Sequence, residues 1–156
     1  MSSLYPLSLV LHSWLRWAII ILGIIAVVRA IGGRGGRPWT QTDTNIGKWL
    51  GITLDIQFVF GLLLYVWLSP ITQAAFADFG GAMRDSGLRF WAVEHVAGMV
   101  IATVLAHIGR AKIRKASTDS RRHTLAAIYY GLALIIMLAS IPWPGRPAAR
   151  PLFRGL

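Results

Sequence analysis

The sequence predicts an all-α bundle of four transmembrane helices with both termini on the outer side of the membrane. Three observations carry that prediction. Of 156 residues, 55% are apolar and only 14% charged, little more than half the roughly 25% charge of soluble domains. Four apolar windows succeed one another, each about 20 residues long, which is what about 1.5 Å of rise per residue needs to cross a hydrocarbon core. The 16 basic residues outnumber the 6 acidic ones and cluster between those windows.

The windows cover roughly residues 7–28, 49–69, 88–109 and 124–141 of one membrane domain, 1–156. The first lacks the basic leader of a signal peptide and exceeds its usual apolar core, so it reads as a mature helix. Pro6, Pro70 and Pro142 stand at window ends, where a missing N–H does least harm. Gly32, Gly33, Gly35, Gly36 and Pro38 make the first connection a loop. Residues 70–87 are long enough for a short surface helix, with Phe76 and Phe79 at the interface and Gly80–Gly81 turning the chain back. Trp49, Trp67, Trp91 and Trp143 fall at span ends, where indole rings favour the headgroup level.

Ten basic residues occupy the first and third connections (Arg29, Arg34, Arg37, Lys48, Arg110, Lys112, Arg114, Lys115, Arg121 and Arg122). Five lie on the other side: Arg84, Arg89 and the tail residues Arg146, Arg150 and Arg154. The positive-inside rule puts the richer side in the cytoplasm.

A net charge of +10 and a pI near 11.3 invite a nucleic-acid partner, but the long apolar runs break any continuous basic face. Disorder is excluded by the apolar content. The absence of cysteine removes disulfides, thiolate metal sites, Cys nucleophiles and covalent c-type haem. Neither a hydrolytic triad order, an HExxH motif nor a phosphate-cradling loop is present.

An ionisable side chain near the bilayer centre costs about 2.5–3.5 kcal/mol on insertion scales, so each one needs a partner or a purpose. Counted inward from the outer end, His12 lies about 8 Å deep, Arg16 about 14 Å, Glu94 about 9 Å and His95 about 11 Å. Four polar groups from two helices therefore share one layer. An Arg16–Glu94 pair satisfies two of them and leaves His12 and His95 facing each other or a common guest. The guest that suits two apposed imidazoles is a b-type haem, with iron taking one nitrogen from each side. Gly98, with Ala102 and Ala106, continues the face of His95, and Gly23 lies on the face of His12. These small residues make room for a macrocycle or let two helices pack closely.

The twelve-residue spacing of His95 and His107 rotates them about 120° apart, which argues against a second haem. Asp55, about 9 Å from the cytoplasmic end of its span, forms with Gln57 and His107 a candidate quinone or proton site, or a polar pin between helices.

The segments Leu11-His12-Ser13-Trp14-Leu15-Arg16-Trp17, Leu88-Arg89-Phe90-Trp91-Ala92-Val93-Glu94-His95 and Ile141-Pro142-Trp143-Pro144 resemble a group of short bacterial four-span membrane proteins loosely labelled cytochrome b-like. The resemblance implies a multi-pass protein of the bacterial inner membrane. It makes His12 and His95 the first candidates for haem iron, with Arg16 and Glu94 as support.

The leading expectation is thus a membrane subunit with one haem b near the outer face, moving electrons, with quinone as a partner. Arg84, Arg89 or Trp91 would meet a propionate. The rival is a cofactor-free accessory subunit of a respiratory or photosynthetic complex, in which the same polar groups hold the bundle together and the basic loops grip lipid or another subunit.

Overall fold

Helix starts are set by side-chain caps, and helix length by the apolar windows between them. In the computed structural model, which describes residues 4–153, α1 spans Leu4–Gly33. Gly36, at φ 107°, turns the chain after it. Thr40 then caps α2 (Gln41–Leu63), which widens into a π-helical turn, Leu64–Leu68. Short helices α3 (Pro70–Ala77) and α4 (Phe79–Ala82) fill the second connection, started by Ser69 and Asp78. Gly80 and Gly81 lie within that helical turn rather than reversing the chain.

Asp85 caps α5 (Ser86–Arg89), which runs through a π turn, Phe90–Glu94, into α6 (His95–Lys115). Thr118 caps α7 (Asp119–Ala139). No strand occurs among the described residues. Four helical stretches are long and apolar enough to cross a membrane: Leu4–Gly33, Gln41–Leu68, Ser86–Lys115 and Asp119–Ala139.

These stretches outrun the expected windows, chiefly at the basic end. Caps at Thr40 and Thr118 start helices eight and five residues ahead of the apolar run. Asp55 consequently lies about 21 Å along its helix, near mid-span rather than about 9 Å from its end. Arg154 lies outside the described residues.

Asp43 locks the basic end. Only 3% of its side chain is exposed, and it accepts hydrogen bonds from Arg29 Nε (2.8 Å), Arg37 Nη1 (3.0 Å) and Thr40 Oγ1 (2.7 Å). His123, fully buried on α7, makes a 3.0 Å hydrogen bond to the Arg37 carbonyl and packs on Trp39. It fills the space that Gly33 leaves, since a Cβ there would overlap the imidazole. Along the seam of α6 with α7, Gly98 admits Ser140 in the same way, so this glycine serves close helix packing, one of the two roles expected for it, and makes no room for a guest. Ala102, Ala106, Ala126 and Ala133 continue the tight core between them.

Overpacking a tight site costs about 1–3 kcal/mol, so Gly33→Ala should lower thermal stability by that amount in detergent. Gly131 has open space where a Cβ would sit. Gly131→Ala should therefore be neutral or stabilise the helix by up to about 1 kcal/mol, and the Gly33→Ala midpoint should fall well below that of Gly131→Ala.

Candidate functional site

His12 on α1 and His95 on α6 face each other with ring centroids 6.4 Å apart and planes at 67°. The π turn before His95 sets its direction: one extra residue in a turn rotates the rest of the helix by about 100°. His95 Nδ1 lies 2.8 Å from the Ser140 carbonyl. A carbonyl only accepts, so Nδ1 carries the proton and Nε2 keeps a free lone pair. The His12 backbone carbonyl accepts from Gln57 Nε2 at 3.0 Å. Gly61 leaves room beside the ring, where a Cβ would come within 3.2 Å of Cε1. Phe90 and Trp91 surround His95 at 5.7 and 5.5 Å.

The two imidazoles line a cavity of about 130 Å3 that is open on one side. Arg16, Gln57, Trp91 and Arg150 also line it, and no carboxylate among the described residues does. Three buried polar atoms on its wall have no hydrogen-bond partner among the described residues: His12 Nδ1, Arg16 Nε and Gln57 Oε1. Leaving a buried polar group unpaired costs about 1–3 kcal/mol, so an added partner for any of these atoms would stabilise the wall. The tail packs against residues of this wall and their neighbours. Arg16 Nη2 and Trp17 Nε1 both donate to the Leu152 carbonyl, Phe153 stacks on Trp17 at 5.1 Å, and Arg150 lies 5.4 Å over Trp91.

The donor set suits one kind of metal group better than another. Among the described residues, no cluster of three or more His, Asp or Glu is placed to hold a bare ion. Two imidazoles, one with its Nδ1–H held by a carbonyl, are the side chains that would hold a haem here, whose porphyrin would supply the other donors. The volume is close to the roughly 150 Å3 that holds one benzene. That volume is smaller than a whole macrocycle, which would fit only in part inside it.

Other expectations are redrawn. Glu94 does not meet Arg16: it pairs with Arg89 at 2.7 Å on the surface, both side chains more than 40% exposed. On an α-helix, residues five apart lie about 140° around the axis; the π turn brings these two together. Arg89 is thereby occupied and does not line the cavity. Trp91 does, as expected, with Arg150 above it. Gln57 belongs to the His12 wall rather than to the Asp55 group. Asp55 and His107 do come together, with Oδ1 and Nε2 2.7 Å apart on an exposed seam of α2 and α6.

Sequence reasoning misses Ser140, Gly61 and Arg150. A helix C-terminus, where carbonyls lack partners, is the available signal for Ser140. Compared with known proteins, the chain matches no family model, no curated protein and no solved structure.

Glu94→Gln should leave unfolding stability within about 0.5 kcal/mol, because exposed ion pairs contribute little. Arg16→Met should leave the protein as stable or more so, since it removes a half-buried, incompletely paired charge. Thermal melts of both variants in detergent check this.

Proposed function

We propose that the chain is a membrane electron-transfer subunit that holds one b-type haem between His12 and His95 and exchanges electrons with a lipid-borne quinone. The observation that carries this reading is the 6.4 Å ring separation. Two imidazoles sharing one metal through bonds of about 2.1 Å each would stand at about this separation. The haem, when bound, supplies a one-electron couple.

His12 and His95 would hold the iron through ring nitrogens, and the Ser140 carbonyl fixes the tautomer and direction of His95. Arg16 and Arg150, the cations on the cavity wall, would meet the propionates in place of Arg84 and Arg89. Phe90 and Trp91 shield His95 from the headgroup region.

Asp55 and His107 supply proton chemistry. Their pair sits on the outer face of α2, two residues and about 3 Å of rise from Gln57 on the cavity side. Quinol oxidation releases protons with its electrons. The hydrogen-bonded carboxyl–imidazole pair offers a basic atom to receive one at the lipid boundary. With the basic end in the cytoplasm, the haem lies toward the outer face of a bacterial inner membrane, within reach of partner subunits.

The full chain, expressed with ample haem, should give a b-type α-band in its reduced-minus-oxidised spectrum. His12→Ala and His95→Ala should lose the band while keeping helical circular dichroism. A wild-type protein without the band ends this reading and leaves a cofactor-free accessory subunit. Asp55→Asn and His107→Leu should keep the spectrum and slow quinol-dependent reduction at least tenfold. An unchanged rate would remove the quinone assignment.

A further inference from the structure

A second cavity lies at the basic end, independent of the histidine site. It measures about 250 Å3 and is lined by Trp39, Thr44, Arg110, Ile113, Arg114 and Arg122, with Asp43 and Tyr130 completing it. Its charges are unbalanced. Asp43 is already committed to Arg29 and Arg37, and Asp119 to Arg122. Arg110 and Arg114 make no hydrogen bond or ion pair with any described residue. Counting these seven groups, five guanidiniums face two carboxylates, which leaves a surplus of three positive charges.

We infer that this cavity binds the phosphate group of an anionic phospholipid. Arg110 and Arg114 are four residues apart and present their planar forks on one helix face. Guanidinium forks match phosphate oxygens and form charge-assisted, bidentate hydrogen bonds. The depth is right as well: α6 ends at Lys115, one residue beyond Arg114, so the site lies at the headgroup level of the leaflet facing the basic loops. Trp39 and Ile113 offer apolar surface where the glycerol and first acyl carbons begin. A basic pocket between transmembrane helices is a recurrent means of selecting anionic headgroups. A free carboxylate finds the same charge but fewer acceptor atoms. Zwitterionic lipid carries the phosphate without the net charge that the surplus selects.

The test uses the full chain purified in detergent. Phosphatidylglycerol, phosphatidylcholine and inorganic phosphate are titrated separately, with bound lipid counted by native mass spectrometry and stability followed by thermal melts. One phosphatidylglycerol per chain should be retained at least tenfold more tightly than phosphatidylcholine, and should raise the melting temperature. Millimolar inorganic phosphate should do neither. Arg114→Gln, an exposed position whose replacement does not threaten folding, should weaken phosphatidylglycerol retention at least tenfold; Arg110→Gln should do the same.

Arg34→Gln, in the same basic rim but outside the cavity, should change retention less than twofold. Equal retention of the two lipids overturns the proposal. So does an Arg34→Gln loss as large as that of Arg114→Gln, which would mean a diffuse field and no site. Saturable binding of inorganic phosphate without lipid selectivity would reassign the cavity to a soluble anion.

Discussion

The close approach of α6 to α7 is the constraint on which the histidine site depends. Gly98 has no side chain to keep Ser140 away, so the end of α7 settles against the helix that carries His95. Ser140 is the C-terminal cap of α7, where carbonyls run out of intrahelical partners. Within a bilayer, water is scarce and such a group must be satisfied by protein. The His95 Nδ1–H meets that need, and in doing so the imidazole is fixed in tautomer and direction. A helix-packing requirement and the orientation of an imidazole are thus met by one hydrogen bond.

The two ends of the bundle treat their polar groups differently. At the basic end, Asp43 is saturated by two arginines and the hydroxyl that caps α2, and His123 fills the gap over Gly33. That arrangement is a clasp between the first connection and the start of the last helix. At the other end, the wall around His12 and His95 keeps three buried polar atoms without partners among the described residues. Protein interiors rarely tolerate that. The basic end keeps one such atom among the described residues, His123 Nδ1, so the two ends differ in degree.

Much of the architecture is legible in the sequence, because bilayer thickness imposes a length and apolar composition reports it. The shared depth of His12 and His95 is legible too, since rise along a helix is a simple count. Helix ends are less so: capping by Thr40 and Thr118 carries α2 and α7 past their apolar runs. Pairings across the bundle are harder still. Depth alone pairs Glu94 with Arg16, yet Glu94 faces Arg89; proximity in sequence groups Gln57 with Asp55, yet Gln57 supports His12. Of the two roles open to Gly98, packing against Ser140 is the one realised. The His107–Asp55 pairing is foreseeable, because both are costly groups in the apolar spans.

What the sequence determined by itself is therefore axial: how many spans, and the shared height of His12 and His95 near one end. Those properties come from a fixed rise per residue and the cost of polar groups in hydrocarbon. Which way each residue points was decided only by tertiary structure. Spans that are apolar on nearly every side carry little rotational signal. One extra residue in the π turn before His95 then rotates the residues ahead of it relative to those beyond. Side-chain packing between helices, unseen in a linear pattern, selects that rotation and with it the chemistry that meets in the cavity.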